Sequence, residues 1–132
     1  LLGQVLKGCL VNNKLGAGAM GSVYLAFHEE LRKDVVVKVL SAEHSARAKT
    51  VERFRREASA MARLEHPNVV MVFDCGNCPD GRPFMIMQYV DGADLEKRME
   101  AEKRLAPAEA TRVVLETARG LEAAHKLGVI HR

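Results

Sequence analysis

Three glycines in the stretch GAGAMGSV have the spacing G-x-G-x-x-G-x-V, at Gly16, Gly18 and Gly21. Glycine lets a backbone turn sharply and approach phosphate oxygens closely. The same spacing opens dinucleotide-binding folds, but there a helix follows the last glycine. Here the next residues, Ser22–Phe27, alternate in the manner of a strand. The pattern predicts a hairpin whose glycines cover a phosphate-bearing ligand, with a plain glycine-rich hairpin as the alternative.

Lys38 lies inside VVVKVL, a run otherwise suited to a buried strand. An ammonium group in such a setting is costly unless a carboxylate pairs with it. Helical periodicity over 49–64 places Glu57 on the apolar face of a helix and Glu52 on its polar side. We therefore expect Lys38 and Glu57 to form a salt bridge, directly or after a shift of the helix. The alternative is a lysine that extends to solvent and a half-exposed glutamate.

The three cysteines, Cys9, Cys75 and Cys78, are too few to indicate a disulfide framework. Cys75 and Cys78 do have the C-x-x-C spacing of thiol or zinc sites. A second pair of ligands is missing, however, and the turn sequence PDGRP follows instead of a helix. Two thiols at the end of a strand and in its hairpin loop are the preferred interpretation, and a thiol or zinc module is the alternative.

Composition excludes several classes of protein. The 132 residues are 48% hydrophobic, which suits a packed domain or part of one. The formal net charge is only +3, from 20 basic and 17 acidic residues, so nucleic acid is not an expected partner. No apolar run approaches the ~18 residues that cross a bilayer, and the start is a poor signal peptide. We expect a cytoplasmic location, although further segments of the protein could carry a membrane anchor.

The order of periodic segments predicts an α+β fold. Three strand-like runs begin near Leu10, a helix follows, and two more strand-like runs flank the turn at Asp80 and Gly81. After Val90 the pattern becomes helical only, with a short helix and then a long one that Pro107 opens. This order predicts an antiparallel five-stranded sheet with one helix, followed by the start of a mostly helical region.

Five stretches together resemble the protein kinases, and most closely the bacterial serine/threonine kinases of eukaryotic type. They are LGAGAMGSVYLA, VVVKVL, RFRREASAMARLEHPNVV, MIMQYVDGADL and the final HR, in family order and spacing. The resemblance implies an N-terminal extension at 1–9, a kinase N-lobe at 10–87, a hinge at 88–92 and the start of a C-lobe at 93–132. It also implies the transfer of the ATP γ-phosphate to hydroxyl groups of proteins, with Mg²⁺ as the metal.

The resemblance assigns roles to individual residues. Lys38 is expected to contact the α- and β-phosphates of ATP, and Glu57 to hold Lys38, so that these two are the catalytic candidates. The expected nucleotide-binding residues are Leu15, Gly16, Ala17, Gly18, Ala19, Met20, Gly21, Val23, Val36, Lys38, Met87, Gln88, Val90 and Asp94.

Within this set, Met87 is expected to be the gatekeeper. Gln88 and Val90 are expected to offer backbone groups to adenine, and Asp94 is expected to hold the ribose. Val36 departs from the alanine usual in the family and is expected to press on the adenine.

The final His131 and Arg132 resemble the beginning of the motif H-R-D-x-x-x-x-N. The catalytic Asp and the metal ligands would come after these two residues, so no metal ligand is expected within residues 1–132. We expect these residues to bind nucleotide weakly and to transfer no phosphate. The uncovered apolar stripe of the helix after Pro107 is expected to favour self-association. A pseudokinase or nucleotide-binding regulatory module is the alternative function.

Overall fold

The computed structural model describes residues 1–130, so His131 and Arg132, with the role predicted for them, lie outside the described residues. Six strands form one antiparallel sheet in the order β1-β2-β3-β4-β6-β5. The elements are β1 Val5–Leu6, β2 Cys9–Gly18, β3 Gly21–His28, β4 Lys33–Leu40, α1 Ala42–Ser45, α2 Ala48–Met61, β5 Val72–Asn77, β6 Pro83–Gln88, α3 Leu95–Glu102 and α4 Pro107–Lys126.

The predicted α+β class is confirmed, but the sheet has one strand more than the predicted five, and the four-residue helix α1 precedes the one helix predicted between β4 and β5. The additional strand is β1, which lies within the residues predicted to be an N-terminal extension. Its Leu6 pairs with Cys9 across a two-residue turn, and both side chains are buried. Two strand residues are too few to show an alternating pattern, which is why periodicity did not reveal this strand.

The main hydrophobic core lies on one face of the sheet. Alternate residues of β4, namely Val35, Val37 and Val39, are at most 1% exposed on this face. They pack with buried side chains from five of the other segments: Leu6, Cys9, Val11, Ala26, Cys78, Phe84 and Ile86. Because β1 and the β5–β6 turn contribute to the same cluster, the sheet curls around this core.

The opposite face of the sheet carries Lys38 and is covered in part by α2, which packs on β5 and β6. The buried residues of α2 are Phe54, Ala58 and Ala60, so that burial begins at the middle of the helix. No residue of Ala48–Arg53 is buried, and neither a side-chain cap nor an acidic residue stabilises the first turn. The helix is therefore held mainly by its C-terminal half.

The long helix α4 contacts the loop that joins α2 to β5. An ideal Cβ atom built on Gly120 would lie 2.8 Å from the carbonyl oxygen of Asn68 and 3.2 Å from a methyl carbon of Val69. Only glycine permits so close an approach. The apolar stripe predicted for this helix is unevenly covered, since its Ala124 is buried whereas its Val114 is 68% exposed.

The short helix α3 lies between the sheet and α4 along the chain. Asp94 caps α3 by accepting a hydrogen bond from the N–H of Lys97, and Arg98 of α3 pairs with Glu109 of α4 at 2.7 Å. Within residues 1–130, no helix has both the length and the apolar composition that crossing a bilayer requires.

We expect Gly120→Ala to destabilise the protein. Alanine alone favours a helix by about 1 kcal/mol over glycine. The new methyl group, however, would force α4 away from Asn68, and overpacking of this kind typically costs about 1–3 kcal/mol. Urea denaturation measures the net change in the free energy of unfolding. The control is Arg119→Ala, a substitution at the exposed neighbouring residue of the same helix. A variant that gains the stability expected from helix propensity alone would contradict the close contact.

Candidate functional site

The glycine-rich segment forms the turn between β2 and β3, as predicted. Gly18 pairs with Gly21, and the turn between them consists of Ala19 and Met20. Leu15 lies at a register shift of β2, where the chain bulges between Lys14 and Gly16. This hairpin projects beyond the core, because every residue from Asn12 to Met20 is exposed.

The three glycines are required for two different reasons. A Cβ atom on Gly21 would overlap the backbone carbonyl oxygen of Val39 on the neighbouring strand. Around Gly16 and Gly18, by contrast, no atom lies within 4 Å of the position of an added Cβ. Gly21 thus permits the close packing of β3 on β4. Gly16 and Gly18 leave an open surface that a ligand can approach closely.

Four of the residues predicted to contact the nucleotide, namely Val23, Val36, Lys38 and Met87, lie in two adjacent rows on one face of the sheet. Directly opposite residues of an antiparallel pair share a face, with Cβ atoms about 4.5–5.5 Å apart. Val23, Lys38 and Met85 form one row, and Leu25, Val36 and Met87 form the next. The charged end of the site is therefore bordered by a row of apolar side chains. Val36 is only 7% exposed within that row, where it adds bulk.

Lys38 and Glu57 lie on facing surfaces but are not paired. Both residues are half-buried, Lys38 on the sheet and Glu57 on the inward side of α2 beside the buried Phe54 and Ala58. Among the ion pairs of residues 1–130, none involves either residue. Glu52 is exposed, as its predicted place on the polar side requires. The direct form of the predicted salt bridge is therefore not present among the described residues, and its second form, a contact after a shift of α2, stays a prediction.

The segment after β6 presents backbone groups at the edge of the site. The N–H of Gln88 donates a hydrogen bond to the carbonyl oxygen of Met71 at 2.9 Å and is therefore committed to the protein. Val90 is 62% exposed, and in the described part of the chain its N–H has no backbone acceptor. The N–H of Val90 is thus not committed to another backbone group and can serve as a donor.

Asp94 has a structural role in addition to the predicted one. One carboxylate oxygen accepts the N–H of Lys97 at 2.8 Å, and the other lies 3.5 Å from the ammonium of Lys97. The backbone hydrogen bond, with the nearby charge of Lys97, lowers the pKa of Asp94 below its ordinary value. The carboxylate is therefore ionised at neutral pH, and its second oxygen can still accept a hydrogen bond from a ligand.

The two thiols of the C-x-x-C sequence lie in different surroundings. Cys75 pairs with Met85 and so belongs to the face that carries Lys38, whereas Cys78 is buried in the main core on the other face. Both are free thiols, and burial raises the pKa of Cys78. Within residues 1–130 no three acidic, histidine or cysteine side chains are grouped to hold a metal ion. This geometry does not support the zinc or thiol alternative.

Sequence reasoning missed the contact between Lys7 and Asp74. Both Lys7 Nζ–Asp74 Oδ distances are 2.8 Å, so the N-terminal segment is joined to β5. The available signals were a Lys-Gly pair between the apolar Leu6 and Cys9, typical of a tight turn, and a lone charge within VFDC. Neither signal reveals its partner, because 67 residues separate the two.

Comparison with known proteins supports one family over almost the whole chain. The family model described as "Protein kinase domain" matches residues 10–132. The chain is 42% identical over 130 residues to the serine/threonine-protein kinase PknJ of Mycobacterium tuberculosis, covering 98% of this chain and 22% of PknJ. It is also 42% identical over 118 residues to the serine/threonine-protein kinase pkn3 of Myxococcus xanthus, covering 89% of this chain and 22% of pkn3.

A solved structure gives the same result. The crystal structure of the M. tuberculosis PknI kinase domain superposes with a TM-score of 0.87 at 36% identity, covering 100% of this chain and 53% of that one. The chain thus spans about half of this kinase domain, and about a fifth of the length of the curated relatives.

The different roles of the glycines predict different effects of alanine on stability. Gly21→Ala is expected to lower the free energy of unfolding by about 1–3 kcal/mol, because its methyl group meets backbone that cannot rotate away. Gly16→Ala and Gly18→Ala have free space and are expected to leave stability within about 0.5 kcal/mol of the original chain. Chemical denaturation of the three variants measures this difference. Equal losses in all three would show that the hairpin packs differently.

Proposed function

The chain belongs to the protein kinase family, and we propose on this basis that residues 10–132 form the ATP-binding part of a serine/threonine protein kinase. The complete protein would transfer the γ-phosphate of ATP to serine or threonine hydroxyl groups of protein substrates. The single observation that carries the proposal is the placement of Lys38. This unpaired ammonium shares one sheet face with Val23 and Val36 and lies near an open glycine hairpin.

The residues of this surface suit the parts of ATP. The apolar side chains of Val23, Val36 and Met87 can cover the adenine ring, and the exposed N–H of Val90 can donate a hydrogen bond to its edge. Asp94 can accept a hydroxyl of the ribose through its second carboxylate oxygen. These assignments follow the resemblance, and the apolar side chains on this sheet face and the accepting oxygen of Asp94 support them.

The polar end of the surface suits the phosphates. Exposed backbone at Gly16 and Gly18 can approach phosphate oxygens, because no side chain intervenes. Lys38 supplies a positive charge that offsets the negative charge developing during transfer. After a shift of α2, Glu57 would hold the Lys38 side chain in one orientation. Catalysis in this family consists mainly of such positioning and charge stabilisation.

The residues described do not suit a magnesium site of their own. Mg²⁺ prefers oxygen ligands such as carboxylates, and residues 1–130 hold no group of three candidate side chains. In the family, the ligands belong to motifs that follow the position of His131 and Arg132. Phosphate transfer is accordingly proposed for the protein as a whole.

A nucleotide-binding regulatory module is the second candidate. It is favoured by the lack of a Lys38–Glu57 ion pair among residues 1–130. This feature weakens catalysis more directly than it weakens nucleotide binding or folding.

We expect residues 1–132 to bind ATP weakly, with a dissociation constant of about 1 mM, and Lys38→Met to weaken binding at least about tenfold. The reason is that Lys38 carries the only charge in the two rows formed by Val23, Lys38 and Met85 and by Leu25, Val36 and Met87. Isothermal titration calorimetry measures the affinity. Lys14→Met, which removes an exposed lysine of β2, is the matched control and is expected to change affinity less than about twofold. Equal affinity of the Lys38→Met variant and the original chain would remove the proposed phosphate contact.

Phosphate transfer requires a separate test in the complete protein. We expect it to incorporate phosphate from radiolabelled ATP into a generic basic protein, and the Lys38→Met form to lose this activity by at least about a hundredfold. ATP binding without incorporation would favour the regulatory module. Incorporation by the Lys38→Met form at the original rate would falsify the catalytic role of Lys38.

A further inference from the structure

The two-residue turn between β1 and β2 has an unusual sequence for its shape. Lys7 and Gly8 form the turn, with φ angles of 48° and 74°. Glycine, asparagine and aspartate accept this left-handed conformation readily, whereas lysine is uncommon there. At Lys7 this conformation coincides with a specific contact of the side chain, to the carboxylate of Asp74.

The side chain of Lys7 crosses β5 and ends on a carboxylate. An ideal Cβ atom on Gly76 would lie 3.2 Å from the Lys7 Cε atom, so a larger residue at this position would crowd the lysine stem. The Lys7 ammonium then lies 2.8 Å from both carboxylate oxygens of Asp74. One of these oxygens also accepts the N–H of Cys75 at 2.7 Å, which fixes the carboxylate against its own strand.

Strand β5 has only one neighbour in the sheet, because it lies at the edge beside β6. Its second contact is α2, which packs on β5 more extensively than on any other strand. The opposite face of β5 is held by Lys7 at Asp74 and by the Lys33 ammonium, which lies 3.9 Å from the centre of the Phe73 ring. The position of β5 therefore determines where α2, and with it Glu57, lies relative to Lys38.

We propose that Lys7 is a positioning residue for the nucleotide site, which fixes β5 through Asp74 and so sets the approach of Glu57 to Lys38. The proposal rests on the proposed function in assigning Lys38 and Glu57 to the ATP site. It extends that site to residues 1–9, which lie before the part of the chain that matches the kinase family description. The segment predicted to be an N-terminal extension thus influences the position of Glu57 relative to Lys38.

Three variants of the 132-residue chain separate positioning from stability. Lys7→Asn suits the left-handed turn but removes the ammonium, so it is expected to preserve overall stability. It should nevertheless raise the exchange rates of the α2 amide hydrogens and the dissociation constant for ATP by about two- to fivefold, the scale of one exposed ion pair. Asp74→Asn is expected to have the same two effects. Lys7→Arg retains the charge and is expected to restore both values.

The matched control is Lys126→Met, which breaks an exposed ion pair of similar length, 2.8 Å to Glu122, on α4. It is expected to change neither α2 exchange nor ATP affinity. The proposal would be overturned if the Lys7→Asn variant exchanged its α2 amide hydrogens at the original rates, whether or not its overall stability had changed. It would also be overturned by a Lys7→Arg form that behaves like Lys7→Asn.

The two proposals can fail separately. Hydrogen exchange in α2 needs no nucleotide, so it decides the role of Lys7 even if the chain does not bind ATP. An absence of ATP binding in the original chain counts against the proposed function alone. Altered α2 exchange with unchanged ATP affinity would overturn the link between Lys7 and the nucleotide site.

Discussion

The central strand β4 is the constraint on which the rest of the structure depends. It pairs with β3 on one side and β6 on the other, so its backbone polar groups are satisfied within the sheet. Its side chains alternate between two packed faces. Val35, Val37 and Val39 fill the main core, and this arrangement requires Lys38 to lie on the opposite face. A slip of one residue would bury the ammonium in the core, so the packing of the valines determines where the charge lies.

Two other interactions hold the site to the rest of the molecule through the loop between α2 and β5. Met71 at its end accepts the N–H of Gln88, and Asn68 near its middle lies against Gly120 of α4. This loop therefore contacts both the segment after β6 and the long helix. Because α2 begins without a side-chain cap and none of its first six residues is buried, the end of α2 next to this loop is the better anchored one. The position of Glu57 thus depends on how β5 and α2 move together.

One motif contains residues with unrelated physical roles. Gly21 is needed because strand packing leaves no room for a side chain, whereas Gly16 and Gly18 border open space. Asp94 likewise combines a cap for α3 with an oxygen that remains available to a ligand. Sequence spacing cannot separate these roles, because the same residue type satisfies both.

Local patterns in the sequence were sufficient to predict most of the strands, the long helices and the candidate residues of the site. The alternation around Val23 and the apolar run around Lys38 depend on neighbours a few residues apart, which is the range over which periodicity reports. The additional strand β1 was missed because two residues carry no period. The inward placement of Glu57 followed from helical spacing, and its location beside Phe54 agrees with that spacing.

Only the tertiary structure decided which distant residues meet. Lys7 reaches Asp74 across 67 positions, and Gly120 lies against Asn68 in another part of the chain. The separation of Lys38 from Glu57 is of the same kind, because it depends on how a whole helix sits on a whole sheet. Such distances result from many weak packing contacts between elements that are far apart in the sequence. They therefore cannot be read from any short stretch of the sequence.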